Sequence, residues 1–166
     1  MTIKTVRNLI IRRLHDHIGR PVLLHDQTGS EESPPYLYYQ LVSPLSPLGH
    51  PNTWYANGVK YRDETTECTI SITAVSYNRG AGNSFVSGED EALELAERAQ
   101  SFFLCAGRTR MLLDGIAVVD VGNAQPRSNL MIDEVARQYG FDVRVRFVCT
   151  STASAPGIAG GAIISN

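Results

Sequence analysis

The clearest pattern in the chain lies in residues 140–152, GFDVRVRFVCTST, where apolar and polar side chains alternate. The apolar positions are Phe141, Val143, Val145, Phe147 and Cys149. Charged side chains stand between them at Asp142, Arg144 and Arg146. Because a β-strand turns successive side chains to opposite faces, this segment is predicted to be a strand with one buried and one solvated face.

Apolar residues recur at helical spacing near the start of the chain. Thr2 is predicted to cap this first helix. Its apolar positions are Ile3, Val6, Ile10 and Leu14. Gly19 and Pro21 are expected to end it, because glycine favours the conformation found at helix ends and proline cannot continue a helix.

A second helix is predicted to begin after Ser87. Acidic residues crowd its first turn, where they complement the helix dipole. One face is apolar, with Ala92, Leu95, Ala96, Ala99, Phe102 and Phe103. Gly107 is expected to end this helix, and residues 108–115 are predicted to form a short helical turn.

Residues 21–26, 36–42, 67–78 and 116–122 have the composition of strands. In residues 67–78 the apolar alternation changes phase at Val75, which predicts a central strand with a bulge near its end. The order of helix, strands, helix and strands favours an α+β fold. We therefore expect a single domain over residues 1–166, with a mostly antiparallel β-sheet flanked by helices on one face.

Two segments are less regular than the rest. Residues 43–58 contain several prolines, and proline cannot donate a hydrogen bond to a sheet, so a long structured loop or an extended hairpin arm is expected there. Residues 153–166 are small and glycine-rich. They are predicted to form a flexible tail or an edge strand.

Composition and charge narrow the class of protein. The 166 residues carry a formal net charge of -2 and are 43% hydrophobic, which is ordinary for a globular protein and argues against general nucleic-acid or membrane-surface binding. The three cysteines form no CxxC pair and are predicted to be buried thiols in a reducing compartment. No segment has the pattern of a signal peptide or a transmembrane helix, so synthesis in a cytoplasm is expected.

Residue types that carry chemistry do not combine into a known motif. His15 and His17 point about 200° apart on a helix and cannot share a metal ion, while His25 and Asp26 lack a third ligand in the sequence. The acidic residues 89–91 are interpreted as partners of the helix dipole. Since GxSxG, P-loop and HExxH motifs are absent, we predict that the protein is not an enzyme and has no catalytic residue, cofactor or metal site.

The proline-rich segment supplies the first candidate interface. Trp54 and Tyr55 are large aromatic residues of a kind enriched where proteins meet, and His50 lies in the same segment. Exposed aromatic side chains are costly unless a partner covers them. The competing interpretation is that Trp54 folds back onto the core of its own domain.

The polar face of the strand predicted at residues 140–152 supplies the second candidate interface, formed by Asp142, Arg144 and Arg146. These side chains share one face of the strand. They could form cross-strand ion pairs on a solvated sheet. In a ring-shaped assembly the same row could instead meet a neighbouring subunit or line a channel.

Several segments follow one another in a distinctive order across residues 6–149. An amphipathic first helix precedes PPYLYYQLV, then ECTISITAVSYNRG leads into EDEALELAERAQSFF, and GIAVVDVGNAQ and YGFDVRVRFV follow. In this arrangement the chain resembles the bacteriophage neck or tail terminator proteins, which complete tails and join them to heads.

The resemblance implies a structural role in a phage particle. Such proteins form a hexameric ring on the last ring of the tail tube, stop tail growth and present a surface to the head-completion proteins. The expected partners are further copies of the chain, the tail tube protein, a head-completion or stopper protein and, as an additional candidate, the tail sheath. Genome DNA would pass through the ring without sequence-specific binding, and no membrane contact is implied. The expected location is the head-tail joint of the virion, after synthesis in the host cytoplasm.

A ring gives the polar strand face a predicted role. Closed rotational symmetry sets one patch of each subunit against a different patch of the next, so Arg144 and Arg146 are predicted to lie at a subunit contact rather than in the channel. Residues 43–58 and the tail are candidate docking arms to the neighbouring tube, sheath or connector, the alternative being surface additions without a partner. Two alternatives stay open: another neck component, such as a stopper or an adaptor, and a small cytoplasmic ligand-binding domain or enzyme.

Overall fold

The computed structural model describes residues 1–25, 33–127 and 136–154. Within these ranges the α-helices are α1 (Ile3–Ile18), α2 (Gly88–Leu104) and α3 (Ala106–Leu113), and Gly82–Ser84 form a short 3-10 helix. The strands are β1 (Val22–Leu24), β2 (Tyr36–Pro47), β3 (Asn52–Ala56), β4 (Val59–Ser76), β5 (Ala117–Val121), β6 (Gln125–Pro126) and β7 (Arg137–Ser154). Of the predicted tail, residues 153 and 154 end β7 and residues 155–166 lie outside the described ranges.

Helix α1 begins and ends where its sequence predicts. The Oγ1 atom of Thr2 accepts a hydrogen bond from the backbone N–H of Thr5 at 3.2 Å, which satisfies one of the unpaired donors of the first turn. At the other end Gly19 has φ 67°, and its N–H donates to the carbonyl of His15. Of the predicted apolar stripe, Val6, Ile10 and Leu14 are buried and Ile3 is half-buried, and Ile18 is buried as well.

Helix α2 begins after Ser87 as predicted, but its predicted end at Gly107 is wrong. The helix ends at Leu104, the backbone breaks at Cys105, and Gly107 lies inside α3. A Cβ atom on Gly107 would stand 2.5 Å from Cζ of Phe102. This glycine therefore serves close packing between the two helices instead of terminating one.

The strands form one mixed sheet of order β1-β2-β4-β7-β5, with β3 paired to β4 and β6 paired to β7. Only the short β1–β2 pair is parallel among the described strands. The predicted α+β domain with a mostly antiparallel sheet is therefore confirmed. The predicted strand at residues 36–42 is longer than expected, since β2 continues through Pro47.

The core lies between the helices and one face of the sheet. The central strands contribute Cys68, Ile70, Ile72, Phe141, Val143, Val145 and Phe147. The helices contribute Val6, Ile10, Leu14, Leu95, Ala96, Ala99, Phe102, Phe103 and Met111. The alternation of residues 140–152 thus has the predicted cause, because its apolar positions as far as Phe147 meet the helix layer.

The bulge predicted near the end of β4 is wrong. Strands β4 and β7 pair without a shift from Val59 opposite Ser154 to Ser76 opposite Arg137. The phase change at Val75 arises because both faces of the sheet are buried at this end, where Thr73, Val75 and Ser76 are each exposed by 2% or less. The irregularities occur in β2 instead, between Leu41 and Ser46, where Pro44 interrupts the ladder.

The sheet continues past the helix-covered core as a three-stranded arm. We define the arm as residues 52–65 and 148–154, which form β3 and the adjoining parts of β4 and β7. None of these residues is buried. Seven residues of β4, at about 3.3 Å each, give the arm a length of about 23 Å. The turn between β3 and β4 is Asn57-Gly58, with φ 50° and 72°, the left-handed pair that a tight hairpin requires.

Candidate interaction surfaces

The sheet face that points away from the helices carries the charged row of β7. We call this the open face, and it includes Asp142, Arg144 and Arg146. Directly opposite residues of antiparallel strands share a face, so Glu67 lies beside Arg146 and Ser71 lies beside Asp142. The predicted clustering on one polar face is therefore present in this chain.

Glu67 of β4 forms ion pairs with both arginines of the charged row on β7. Its Oε1 atom accepts from Nε of Arg146 at 3.0 Å and from Nη2 at 2.7 Å. Nε of Arg144 lies 3.8 Å from Oε2. Glu67 is only 8% exposed, whereas the side chains of Arg144 and Arg146 are about half exposed. The cross-strand ion pairs considered from sequence are thus present, and the outer surfaces of both guanidinium groups still face solvent.

Asp142 belongs to a second network on the open face. Its Oδ1 atom accepts from Oγ of Ser71 at 2.7 Å and from Nη2 of Arg127 at 2.8 Å. Partial burial alone would raise the pKa of this carboxyl, but the hydrogen bonds from Ser71 and Arg127 outweigh it and the pKa is lowered. Arg127 crosses the sheet over Gly140, where a Cβ atom would stand 2.8 Å from Cδ of the arginine.

The arm displays the aromatic residues selected from sequence. Trp54 of β3 stacks on Tyr61 of β4, with ring centroids 5.3 Å apart and an interplanar angle of 8°. It is 37% exposed, so it covers a neighbour in the arm and does not reach the core. Tyr55 points to the other face, is 65% exposed and has the Lys60 ammonium 6.0 Å from its ring centroid.

Further apolar side chains lie exposed near the base of the arm. Val42, Leu45 and Leu48 are between 37% and 57% exposed, and they come from β2 and the turn that follows it. His50, also exposed, lies in the connection between β2 and β3. The candidates from residues 43–58 therefore share one region, although they sit on strands and a short turn and not on a long loop.

Both edges of the arm present unpaired backbone. Within the described residues no strand pairs with the outer edge of β3, and β5 pairs with β7 only at residues 143–146. Beyond them the carbonyl of Val148 accepts from the amino group of Met1 at 2.8 Å. An exposed strand edge is a template for pairing with another chain.

The acidic start of α2 has a more specific role than dipole complementation. Both carboxylate oxygens of Glu91 accept from the guanidinium of Arg79, at 2.7 and 2.8 Å, and Oγ of Ser76 donates to it at 2.6 Å. The hydrogen bond from Arg79 is the main reason that the pKa of Glu91 is lowered. Glu89 accepts from the hydroxyl of Tyr139 at 3.0 Å. These contacts fasten α2 to the end of the sheet.

The predicted burial of the three cysteines is confirmed for Cys68 only. Burial raises the pKa of the Cys68 thiol to about 11, whereas Cys149 is half-buried and Cys105 is exposed. Cys105 is exposed because it occupies the break between α2 and α3, outside the apolar stripe of either helix. No group of His, Cys, Asp and Glu in the described part of the chain has the arrangement of a metal site. None of the helices there is both long and apolar enough to cross a membrane.

Several contributors to these surfaces were not identified from sequence. Glu67 and Arg127 reach the charged row only in the folded sheet. Glu67 is 79 residues from Arg146 along the chain, and Arg127 is 15 residues from Asp142. Tyr61 was missed because the Asn57-Gly58 turn that opposes it to Trp54 was not recognised. The Asn-Gly pair between two β-rich segments was an available signal for that hairpin.

The described residues therefore form an α+β domain that presents paired charges, exposed aromatic side chains and open strand edges. A comparison with family models identifies the family of the chain. It belongs to the phage neck terminator protein family, whose model matches residues 8–164. The resemblance noted from the sequence is thereby confirmed, and the protein is a structural component of the bacteriophage neck. A search of curated proteins gives no match.

Proposed function

We propose that the protein is a tail terminator that assembles into a hexameric ring on the last ring of the tail tube. There it stops tail growth and provides the surface to which a head-completion or stopper protein attaches. Membership of the neck terminator family supports this proposal. The structural observation that carries it is the arm, with its exposed aromatic residues and unpaired edges.

The arm is unusual for an isolated subunit. Its three strands lack a covering layer, and both of its faces are exposed or half-exposed in the described residues. Small single-layer sheets gain little stability in water without something packed against them. Trp54 and Tyr55 therefore favour a bound state in which another protein covers the arm, and we assign that role to a neighbouring subunit or the tail tube.

The mildly acidic chain, with a formal net charge of -2, fits passage of DNA without strong binding. Affinity for DNA grows with the number of unneutralised cationic contacts, so a ring of such chains would retain the genome weakly. We retain the proposal that Arg144 and Arg146 lie at a subunit contact, since their half-exposed guanidinium groups can donate to a further carboxylate of a neighbour.

Electron microscopy of the purified chain, alone and mixed with purified tail tubes, tests the proposal. We expect six-fold rings with an open centre, or single rings that cap tube ends and halt further growth. A chain that forms no ring and leaves tube ends unchanged would contradict the terminator assignment. Binding to isolated heads instead of tubes would indicate a stopper or an adaptor.

A variant carrying Trp54→Ser and Tyr55→Ser tests the role of the arm. It is expected to lose no more than about 1 kcal/mol of stability, because Trp54 stacks only within the arm and Tyr55 is mostly exposed, but to fail to form rings or cap tubes. Phe85→Ser is the matched control, since Phe85 is 55% exposed but lies in the linker before α2. Normal assembly of the double variant would exclude these two residues from the interface.

A further inference from the structure

Helix α3 is an amphipathic helix whose outer face has no partner in the described residues. Its buried positions are Gly107 and Met111. On the outer side Leu112 is 63% exposed and Leu113 is 84% exposed. Arg108 precedes Leu112 by four positions and Arg110 precedes Leu113 by three, so each arginine lies next to a leucine on the helix surface. We call these four residues the α3 patch.

Helix α2 carries acidic side chains in its N-terminal part, opposite in charge to the arginines of the α3 patch. Asp90, Glu94 and Glu97 follow helical spacing, are exposed and make no ion pair in the described residues. We call them the acidic stripe. They differ from their neighbours Glu89 and Glu91, which hold Tyr139 and Arg79 inside the subunit.

The two patches do not pair with each other in the described residues. Glu97, the member of the stripe nearest to α3, lies seven positions before the end of α2 at Leu104, about 10 Å along the helix axis. Arg108 and Arg110 likewise make no ion pair in the described residues. A subunit therefore presents a basic, apolar end and an acidic end on the same helical layer.

We infer that the α3 patch of one copy docks on the acidic stripe of the next copy, which makes the helix layer a subunit seam of the ring. Two different complementary patches on one chain produce a head-to-tail contact, and such contacts close into rings when the rotation allows it. The exposed leucines supply apolar area at the seam, and the arginines and carboxylates fix its register and orientation. This inference rests on the proposed ring and adds the residues that join its subunits.

Charge reversal tests the seam with two variants. In the first, Arg108→Glu and Arg110→Glu make the α3 patch acidic; in the second, Glu94→Lys and Glu97→Lys make the stripe basic. Each variant alone places like charges at every seam, so self-association is expected to weaken by at least about tenfold. Lys4→Glu with Arg12→Glu on the exposed side of α1 changes the net charge as the first variant does and is expected to leave assembly unchanged.

An equimolar mixture of the two variants gives the sharpest result. Every contact between unlike variants pairs an acidic with a basic patch, so mixed rings should form even though neither variant assembles alone. Strict alternation closes only in rings with an even number of subunits. Native mass spectrometry is therefore expected to find three copies of each variant in a hexamer.

The leucines provide an independent measurement. Leu112→Ser with Leu113→Ser is expected to reduce assembly while leaving the unfolding midpoint of the monomer nearly unchanged, because both side chains are already exposed. Assembly should also weaken as salt rises, because ions screen exposed charges over about 10 Å at 0.1 M.

Each contrary result has a distinct meaning. Rings formed by either charge variant alone, or failure of the mixture to assemble while wild type does, would overturn the seam and leave the ring intact. A wild-type chain that forms no ring, alone or on purified tubes, would overturn the proposed function and the seam together.

Discussion

The covered half of the sheet and the arm are built from the same two long strands but are stabilised differently. In residues 68–76 of β4, alternate side chains enter the core beneath the helix layer. In residues 59–65 of the same strand none is buried, and stabilisation comes from strand pairing, one aromatic stack and ion pairs such as Arg62 with Glu64. The first region has a core of its own, whereas the second is a single exposed layer, which is why we propose that another protein covers it.

Truncating the core should have the largest effect on stability. Phe103 is 0% exposed and packs edge-on against Phe102 and Phe141. Phe103→Ala is expected to lower the free energy of unfolding by about 3–5 kcal/mol, because it removes apolar burial and leaves a cavity. Urea unfolding followed by circular dichroism measures this. A loss below about 1 kcal/mol would mean that the helix layer is far looser than its contacts indicate.

A substitution where α2 and α3 approach each other closely should have the next largest effect on stability. Alanine in place of glycine normally stabilises an exposed helix interior by about 0.5–1 kcal/mol. Gly107→Ala is expected to destabilise the protein instead, by about 1–3 kcal/mol, because the added methyl group would overlap the ring of Phe102. Thr109→Ala on the exposed side of α3 is the control. A stabilised Gly107→Ala variant would refute this account of the helix break.

Because of the ion pair between Arg79 and Glu91, the stability of the covered half should depend on pH in the acid range. The pKa of Glu91 is held below its ordinary value of 4.5 in the folded chain. Its contribution is therefore complete above pH 4.5 and is lost as the pH falls through the lower folded pKa. Glu91→Gln is expected to cost about 1 kcal/mol at neutral pH and to lose less stability on acidification.

Glu97→Gln is the control for this titration, measured on the monomer, because Glu97 is exposed and makes no ion pair in the described residues. Its stability should follow that of wild type across the same pH range. Identical acid profiles for wild type and Glu91→Gln would show that the Arg79 contact carries no linkage to folding.

Substitutions in the arm should have the smallest effect on the isolated subunit. Tyr61→Ala removes the stack on Trp54 and is expected to lower the free energy of unfolding by no more than about 1 kcal/mol. Comparison with Phe103→Ala under the same denaturant conditions measures the contrast between the two regions. A cost similar to that of Phe103→Ala would show that the arm is an integral part of the folding unit.

Local patterns predicted much of the fold. The apolar stripe and caps of α1, the start of α2 after Ser87 and the alternation of β7 were correct because each depends on neighbours within a few residues. The end of α2 was predicted wrongly because glycine at a helix end and glycine at a close contact look alike in sequence, and only the ring of Phe102 distinguishes them. The phase change at Val75 was misread as a bulge because sequence does not reveal that both faces of the sheet are covered there.

By itself, the sequence determined the α+β class, the two-faced β7 strand and a resemblance that the family comparison confirms. Tertiary structure decided which side chains meet: Glu67 with Arg146, Arg127 with Asp142, and Trp54 with Tyr61. It also decided that residues 52–65 leave the core as an arm. The physical reason is that periodicity records only which face of an element is apolar, whereas contacts between distant residues depend on strand register and on where the helix layer ends.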